Sequence, residues 1–202
     1  MVVFAYMRGN QSPAPARLRA ILQDRRTVTV MDRNPQSAGI TADSYRALMR
    51  HQAGAVTVVA TEHAGMRAGL TATAFSSLSD QPPTILVCVQ RTAGAHDAIL
   101  AARVFSVNIL AADQQVVAER FSGAGGVRGA ARFDGAAWSI LASGAPILDG
   151  ALASLDCRLA EHHRFSTHSI FIGSVIDGRT RGEAAPLLYF RGDYWNIGRS
   201  NG

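Results

Sequence analysis

From position 41 onward, short apolar runs alternate with turn residues, and most of the runs have strand character. Thr41 is a natural N-cap for a helix whose Tyr45, Leu48 and Met49 share one face, and Ala53-Gly54-Ala55 ends it. The β-branched run at 56–61 predicts a strand. Residues 67–91, RAGLTATAFSSLSDQPPTILVCVQR, set a glycine-bounded, hydroxyl- and alanine-rich turn between two β-type runs. The second of those runs is a strand at 84–89, and Pro82-Pro83 exclude helix before it. Helices are predicted at 95–102 and 113–121, on either side of a strand at 104–110. After a glycine-rich loop and a turn near Pro146, strands follow at 153–160, 169–176, 187–190 and 194–197. Strands separated by turns, with few and short helices, describe a mainly β, antiparallel barrel better than a βαβ fold.

Residues 1–40 read differently. Gln11-Ser12-Pro13-Ala14-Pro15-Ala16 is linker-like, and 34–39 break the chain again. Between them lie one short helix near 17–24 and one short strand at 27–31. The segment reads as a basic extension, surface-docked or disordered, ahead of a single domain at 41–202. A start at Met31 is the alternative reading and removes most of the odd charge. Six arginines minus two aspartates give the extension +4 of the net +5, which leaves +1 for the domain. A nearly neutral body is not a nucleic-acid-binding face. With 48% hydrophobic and 17% charged residues the composition is that of a globular protein. No apolar run approaches the ~18 residues of a membrane helix. Nor is there a secretory signal, so the cytoplasm is the expected location. Cys88 and Cys157, far apart in apolar runs, read as a reduced, buried pair.

The chemistry concentrates at 67–91. Small residues there let the backbone approach a flat ligand, while Thr71, Thr73, Ser76 and Ser77 offer hydroxyls to a sugar or phosphate. Gln90-Arg91 add an amide and a cation suited to an anionic tail, and a flavin mononucleotide fits that cradle best. The glycines of GAGGVRG at 123–129 lack the strand before and the helix behind that a dinucleotide fingerprint requires, and they read as a flexible loop. His162 and His163, adjacent on a strand, point to opposite faces and cannot readily share a metal. His168 stands at the mouth of the 169–176 strand, where ligands bind. Asn108, inside FSVNIL, must find partners either within the sheet or on a bound ring or ribityl chain. No nucleophile elbow accompanies the serines.

Several ordered motifs resemble the flavin reductase family, the small component of two-component monooxygenases. They are RAGLTATAFSSLS with PPTILVCVQR, FSVNIL, the helix end FSG at 121–123, Arg132-Phe133 and Trp138. GAPILDGALASLDCRL at 144–159, HSIFIGSV at 168–175 and PLLYFRGDYW at 186–195 complete the series. The opening motif is particularly similar to the reductases of pyrimidine catabolism. The resemblance implies an FMN-binding split barrel, homodimeric, with flavin held by Thr71, Ala72, Thr73, Ala74, Ser76 and Ser77. It implies a second wall at Cys88, Val89, Gln90 and Arg91, completed by Asn108, Ser122 and Gly123. His168 would face the nicotinamide, with Arg191 and Tyr194 as weaker candidates. Where family members often carry Gly-Asp before that histidine, this chain has Ser166-Thr167. The implied activity is hydride transfer from NADH or NADPH to FMN or FAD, with reduced flavin supplied to a partner oxygenase. A non-enzymatic flavin carrier or sensor on the same barrel is the alternative.

Overall fold

The structure is a computed structural model that describes residues 39–197. The expected extension, with its helix near 17–24 and strand at 27–31, lies outside the described residues except for its last two positions. Thr41 caps helix α1 (Ala42–Met49) as its sequence predicts, its side chain accepting from the Ser44 amide at 3.1 Å. Strands β1 (Gly54–Ala55) and β2 (Thr57–His63) follow, then β3 (Met66–Ala72), β4 (Phe75–Asp80) and β5 (Pro83–Gln90). Helix α2 (Gly94–Ala102), β6 (Val104–Ile109), helix α3 (Gln115–Ser122) and the short pair β7 (Trp138–Ile140) and β8 (Pro146–Leu148) come next. Two long strands, β9 (Ala153–Phe165) and β10 (His168–Thr180), precede the hairpin of β11 (Leu187–Phe190) and β12 (Asp193–Asn196). The hydroxyl-rich stretch expected as a turn is thus mostly strand, reduced to the two-residue connection Thr73-Ala74.

Seven strands form one antiparallel sheet in the order β3-β2-β6-β9-β10-β5-β4. β3 and β4 occupy its opposite edges, yet only Thr73-Ala74 separate them in sequence. Laid flat, six strand spacings of ~4.8 Å would part the edges by about 29 Å. Three residue steps span at most ~11 Å. The sheet must therefore roll up until its edges face each other, and the Cys88 amide donates to the Ala74 carbonyl at 2.9 Å near that seam. The result is an antiparallel barrel split along one side.

β2 is buried on both faces, so it separates two cores. Val59 points with Val87, Val89, Phe105, Val107, Cys157 and Phe171 into the first, which Ile99 of α2 joins. Val58 and Ala60, on the other face, pack with Leu110, Phe121, Phe133, Leu148 and Leu187. Phe121, Phe133 and Trp138 meet there with ring centroids 4.8 to 5.5 Å apart. The sheet of β1, β11 and β12 is stitched onto the barrel by backbone bonds among Val56, Leu110 and Leu187 at 2.9 to 3.0 Å. Both cysteines are free thiols, and burial, reinforced by the neighbouring Asp156 charge, pushes Cys157 up to about 12. Among the described residues no helix is long and apolar enough to cross a membrane.

Gly173 shows how tightly the first core is filled. A Cβ there would sit 2.6 Å from the Phe105 ring and 3.1 Å from the Cys157 Cβ. Gly173→Ala should therefore lose about 1–3 kcal/mol of stability through overpacking. Urea unfolding at constant m-value checks it, and an unchanged midpoint would show that the ring can move aside.

Candidate active site

Two hollows meet at the end of β5. The larger, about 540 Å³, is lined by Gly69 to Thr71 of β3, Gln90, the start of α2 at Gly94, and the α3 terminus at Phe121 to Gly123. Gly126 to Gly129 and Arg132 close its far side. The smaller, about 490 Å³, is lined by Gln90 to Thr92, His96, Asp97, Arg164 and the turn Ser166-Thr167. Gln90 and Thr92 belong to both.

The walls are fixed by bonds that sequence alone does not display. Thr71 donates its hydroxyl to the Ala118 carbonyl at 2.6 Å, which fastens β3 to α3. Arg132 donates to the carbonyls of Gly69, Phe121 and Val127 at 3.0 to 3.2 Å, tying three wall segments together. Gly123 has φ +87, a conformation that glycine adopts without penalty and that lets α3 end at the cavity. The GAGGVRG loop keeps no dinucleotide fingerprint, but Gly126 to Gly129 wall the larger hollow. A loop with so little side-chain volume gives no periodic signal from which that role can be read.

β10 brings the second half of the site. His168 lies opposite Gln90 in the β5–β10 ladder and opposite Phe165 across the two-residue turn Ser166-Thr167. Arg91 clasps that turn twice, its amide donating to the Thr167 carbonyl at 2.9 Å and its guanidinium to the Ser166 carbonyl at 3.1 Å. Ser166 sits at φ +51, where a glycine would be unstrained, so the departure from Gly-Asp is accommodated by a serine in the left-handed region. His168 is exposed, and its Nδ1 lies 2.9 Å from the Thr167 hydroxyl.

Other expected residues divide. Ser122 and Gly123 line the larger hollow, and Gln90 and Arg91 border the smaller one. Ser76 and Ser77 stand exposed on β4, and Cys88 is half-buried. Thr73 and Ala74 line a separate hollow of about 360 Å³ with Tyr45, Arg50, Tyr189 and Arg191. Arg191 therefore does not share a cavity with the His168 turn. Tyr194 pairs with Tyr189 in the β11–β12 hairpin, and its hydroxyl is pushed up by burial, then by the Glu119 and Tyr189 charges. Ala72 and Val89 are buried in the first core, so their side chains present no ligand surface.

Asn108 is resolved in favour of the sheet. It is fully buried, donating to the Val58 carbonyl at 3.1 Å and Ser106 Oγ at 2.9 Å. Its own oxygen accepts from the Leu148 amide and the Ser154 hydroxyl, both at 2.9 Å. Every polar position is used within the protein, and none is left for a ring or ribityl chain. His162 and His163 lie in β9, His162 stacking on Phe171 and His163 beside Glu161 at 3.1 Å. His96, which the sequence did not single out, is buried behind the smaller hollow.

A cavity of this size, walled by glycine backbone, hydroxyls and arginines, suits a flat ligand with a phosphorylated chain. The chain belongs to the flavin reductase like domain family, which matches residues 49–198. It is 41% identical to the FMN reductase (NADH) RutF of Agrobacterium fabrum over 150 residues, 74% of this chain and 85% of that one. RutF 2 of Methylorubrum extorquens is 43% identical over the same length, 74% of this chain and 86% of its own. Among solved structures, BorF, the flavin reductase component of a bacterial two-component tryptophan halogenase, superposes with TM-score 0.72 at 34% identity. That match covers 78% of this chain and 98% of BorF. The NADH:FAD oxidoreductase SgcE6 of Streptomyces globisporus, in complex with NAD and FAD fragments, gives 0.73 at 28% identity, covering 79% and 94%.

Since Asn108 serves the sheet, Asn108→Ala should destabilise the fold by about 2–4 kcal/mol by leaving four buried partners unmatched. The fraction that stays folded should bind FMN with affinity within about twofold of the parent. Calorimetry and flavin-fluorescence titration check the pair. A stable variant with much weaker binding would return Asn108 to the ligand pocket.

Proposed function

We propose that the protein is an NADH-dependent flavin reductase that uses FMN and hands reduced flavin to a separate oxygenase. One observation carries the reading. The ends of β5 and β10 lie side by side, so the hollow bordered by Thr71 and Ser122 adjoins, through Gln90, the turn that precedes His168. The relatives named FMN reductase (NADH) support the choice of substrates, and BorF, which serves a halogenase, supports a separate recipient. The likeness to component B of a nitrilotriacetate monooxygenase supports an oxygenase in that place. A carrier or sensor would need the first hollow and no second concave surface beside it.

Flavin and dinucleotide, when bound, supply the hydride chemistry, so the chain needs to bind, orient and exclude water. Thr71 and Ser122 already donate their hydroxyl hydrogens to the Ala118 and Glu119 carbonyls, and the Gly123 amide donates to the Arg120 carbonyl. From two sides this wall therefore meets the flavin through hydroxyl oxygens that can still accept and through glycine backbone on which a flat ring can lie. Arg132, already committed to three carbonyls, holds those sides at fixed separation and leaves the exposed Arg128 to meet a phosphate. Arg91 keeps the β9–β10 turn against β5, and His168 presents its imidazole to the nicotinamide. Holding two ring systems in reacting contact is the source of rate here, and no acid or base is required of the protein.

The protein acts as a homodimer in this reading. Tyr45, Leu48 and Met49 of α1 share a face as their spacing predicts, yet no residue of α1 is buried. Trp195 and Ile197 add further exposed apolar surface. A second copy of the chain is the partner that would cover it.

Mixed anaerobically with NADH and excess FMN, catalytic amounts of protein should bleach the flavin absorption. No turnover with either NADH or NADPH would favour the carrier. His168→Ala should raise the KM for NADH about tenfold while FMN affinity changes less than about twofold. Equal loss of both would remove His168 from the nicotinamide side. Sedimentation should give twice the chain mass, and Leu48→Glu should shift it toward the monomer.

A further inference from the structure

We propose that His96 is a positioning residue for the strand end that carries His168, acting through Ser169. The inference rests on the reading that His168 faces the nicotinamide. His96 lies in the first turn of α2 and is only 2% exposed. A buried imidazole must satisfy both nitrogens, and here both have partners. Nδ1 lies 2.6 Å from the Asp97 carboxylate, and Nε2 lies 2.9 Å from the Ser169 hydroxyl. An ionised carboxylate only accepts, so the Nδ1 position carries the hydrogen. In the neutral ring Nε2 is left to accept from Ser169, and the chain of bonds then runs in one direction from β10 to the outer surface of α2.

Ser169 is fully buried and immediately follows His168. Neighbouring strand residues point to opposite faces, so fastening Ser169 inward sets His168 outward. Phe171, the next inward residue, meets the same imidazole edge-on at a centroid distance of 5.3 Å. One ring thus holds two successive inward positions of β10. Arg91 clasps the turn on the other side of His168. His168 stands between these two anchors, at the end of a hairpin whose outer strand is exposed over 160–165. Without the inner anchor, the first residues of β10 would be held only by the ladder and by Arg91.

A purely structural role for His96 would lower stability and weaken both substrates alike. A positioning role separates them. His96→Ala and Ser169→Ala should each raise the KM for NADH about fivefold to tenfold, with kcat and FMN affinity within about twofold. The double variant should be no worse than the poorer single one, since both break the same bond. His96→Gln, whose amide can still meet Ser169, should recover most of the loss. Should His96→Ala fold poorly, Ser169→Ala, which removes one oxygen, gives the same reading. Additive effects in the double variant, or NADH and FMN parameters that move together, would overturn the proposal. So would an unchanged KM in these variants when His168→Ala, measured beside them, raises it. If His168→Ala also leaves the KM unchanged, the nicotinamide assignment of His168 fails, and the role of His96 falls with it.

Discussion

The two-residue connection Thr73-Ala74 is the constraint on which the architecture depends. It joins strands at opposite edges of a seven-stranded sheet, and the edges can be reached only if the sheet closes on itself. One of the two edges it joins, β3, is also pressed against α3. At Gly69 an added Cβ would lie 2.7 Å from the Phe121 ring and 2.9 Å from the Val59 carbonyl, so β3 has no room for a side chain against α3. The same closeness leaves glycine and alanine backbone along the larger hollow, where a planar ring can lie without displacing side chains. A helix packed on the edge strand and a ligand cradle therefore make the same demand on the sequence. That is why a stretch which reads as a binding turn proves to be two strands and the tightest link between them.

Arginine does similar double service. Both Arg91 and Arg132 have the fork geometry that suits phosphate, and Arg91 was expected to meet one. In the fold each guanidinium donates to backbone carbonyls instead: Arg91 to the β9–β10 turn, Arg132 to Gly69 on β3 and to Phe121 and Val127 nearer in sequence. A carbonyl is an acceptor that a short chain segment always has, whereas a partnering carboxylate must be supplied by sequence. With no lysine anywhere in the chain, these planar cations act as struts between loops that carry little packing of their own. The strut at Ser166 also relieves a local difficulty, because a serine held at φ +51 needs its neighbours to fix it there.

Much of the fold was legible because apolar, β-branched runs of strand length stand between turn residues. The runs at 84–89, 104–110 and 187–190 appear within one or two residues of their expected places. The lengths of β9 and β10 were not, since 160–168 is exposed and its pattern of charged residues, histidines and Phe165 reads as loop. On either side of the Ser166-Thr167 turn those residues are strand because β9 and β10 pair with each other, an effect that no local pattern contains. Of the site, Thr71, Gln90 and Arg91 stood out for their chemistry and the Ser122-Gly123 turn only through the family resemblance, and all of them border the hollows. Asn108 misled because a buried amide carries the same signature whether its partners are a ligand or four groups of the sheet. His96 gave no signal, since its value lies in a bond to a residue 73 positions away.

The division between holding a flavin and reducing it comes down to what lies beyond Gln90. One enclosed hollow would suffice to retain a cofactor, and deeper burial would retain it better. Here the first hollow adjoins a second of comparable volume, and β5, the strand that borders both, ends on Gln90, which lies opposite the exposed His168 of β10. Leaving a polar, concave surface wet beside a cofactor gains nothing for retention and admits oxygen and water to the ring. It is useful only if a second molecule must enter, react and leave. The bonds that hold this region reinforce the point, because Arg91 and His96 stabilise the turn and the strand start from opposite sides of His168 without covering it. In the proposed reading, a side chain fixed on two sides with its outer face free is what a transient partner requires.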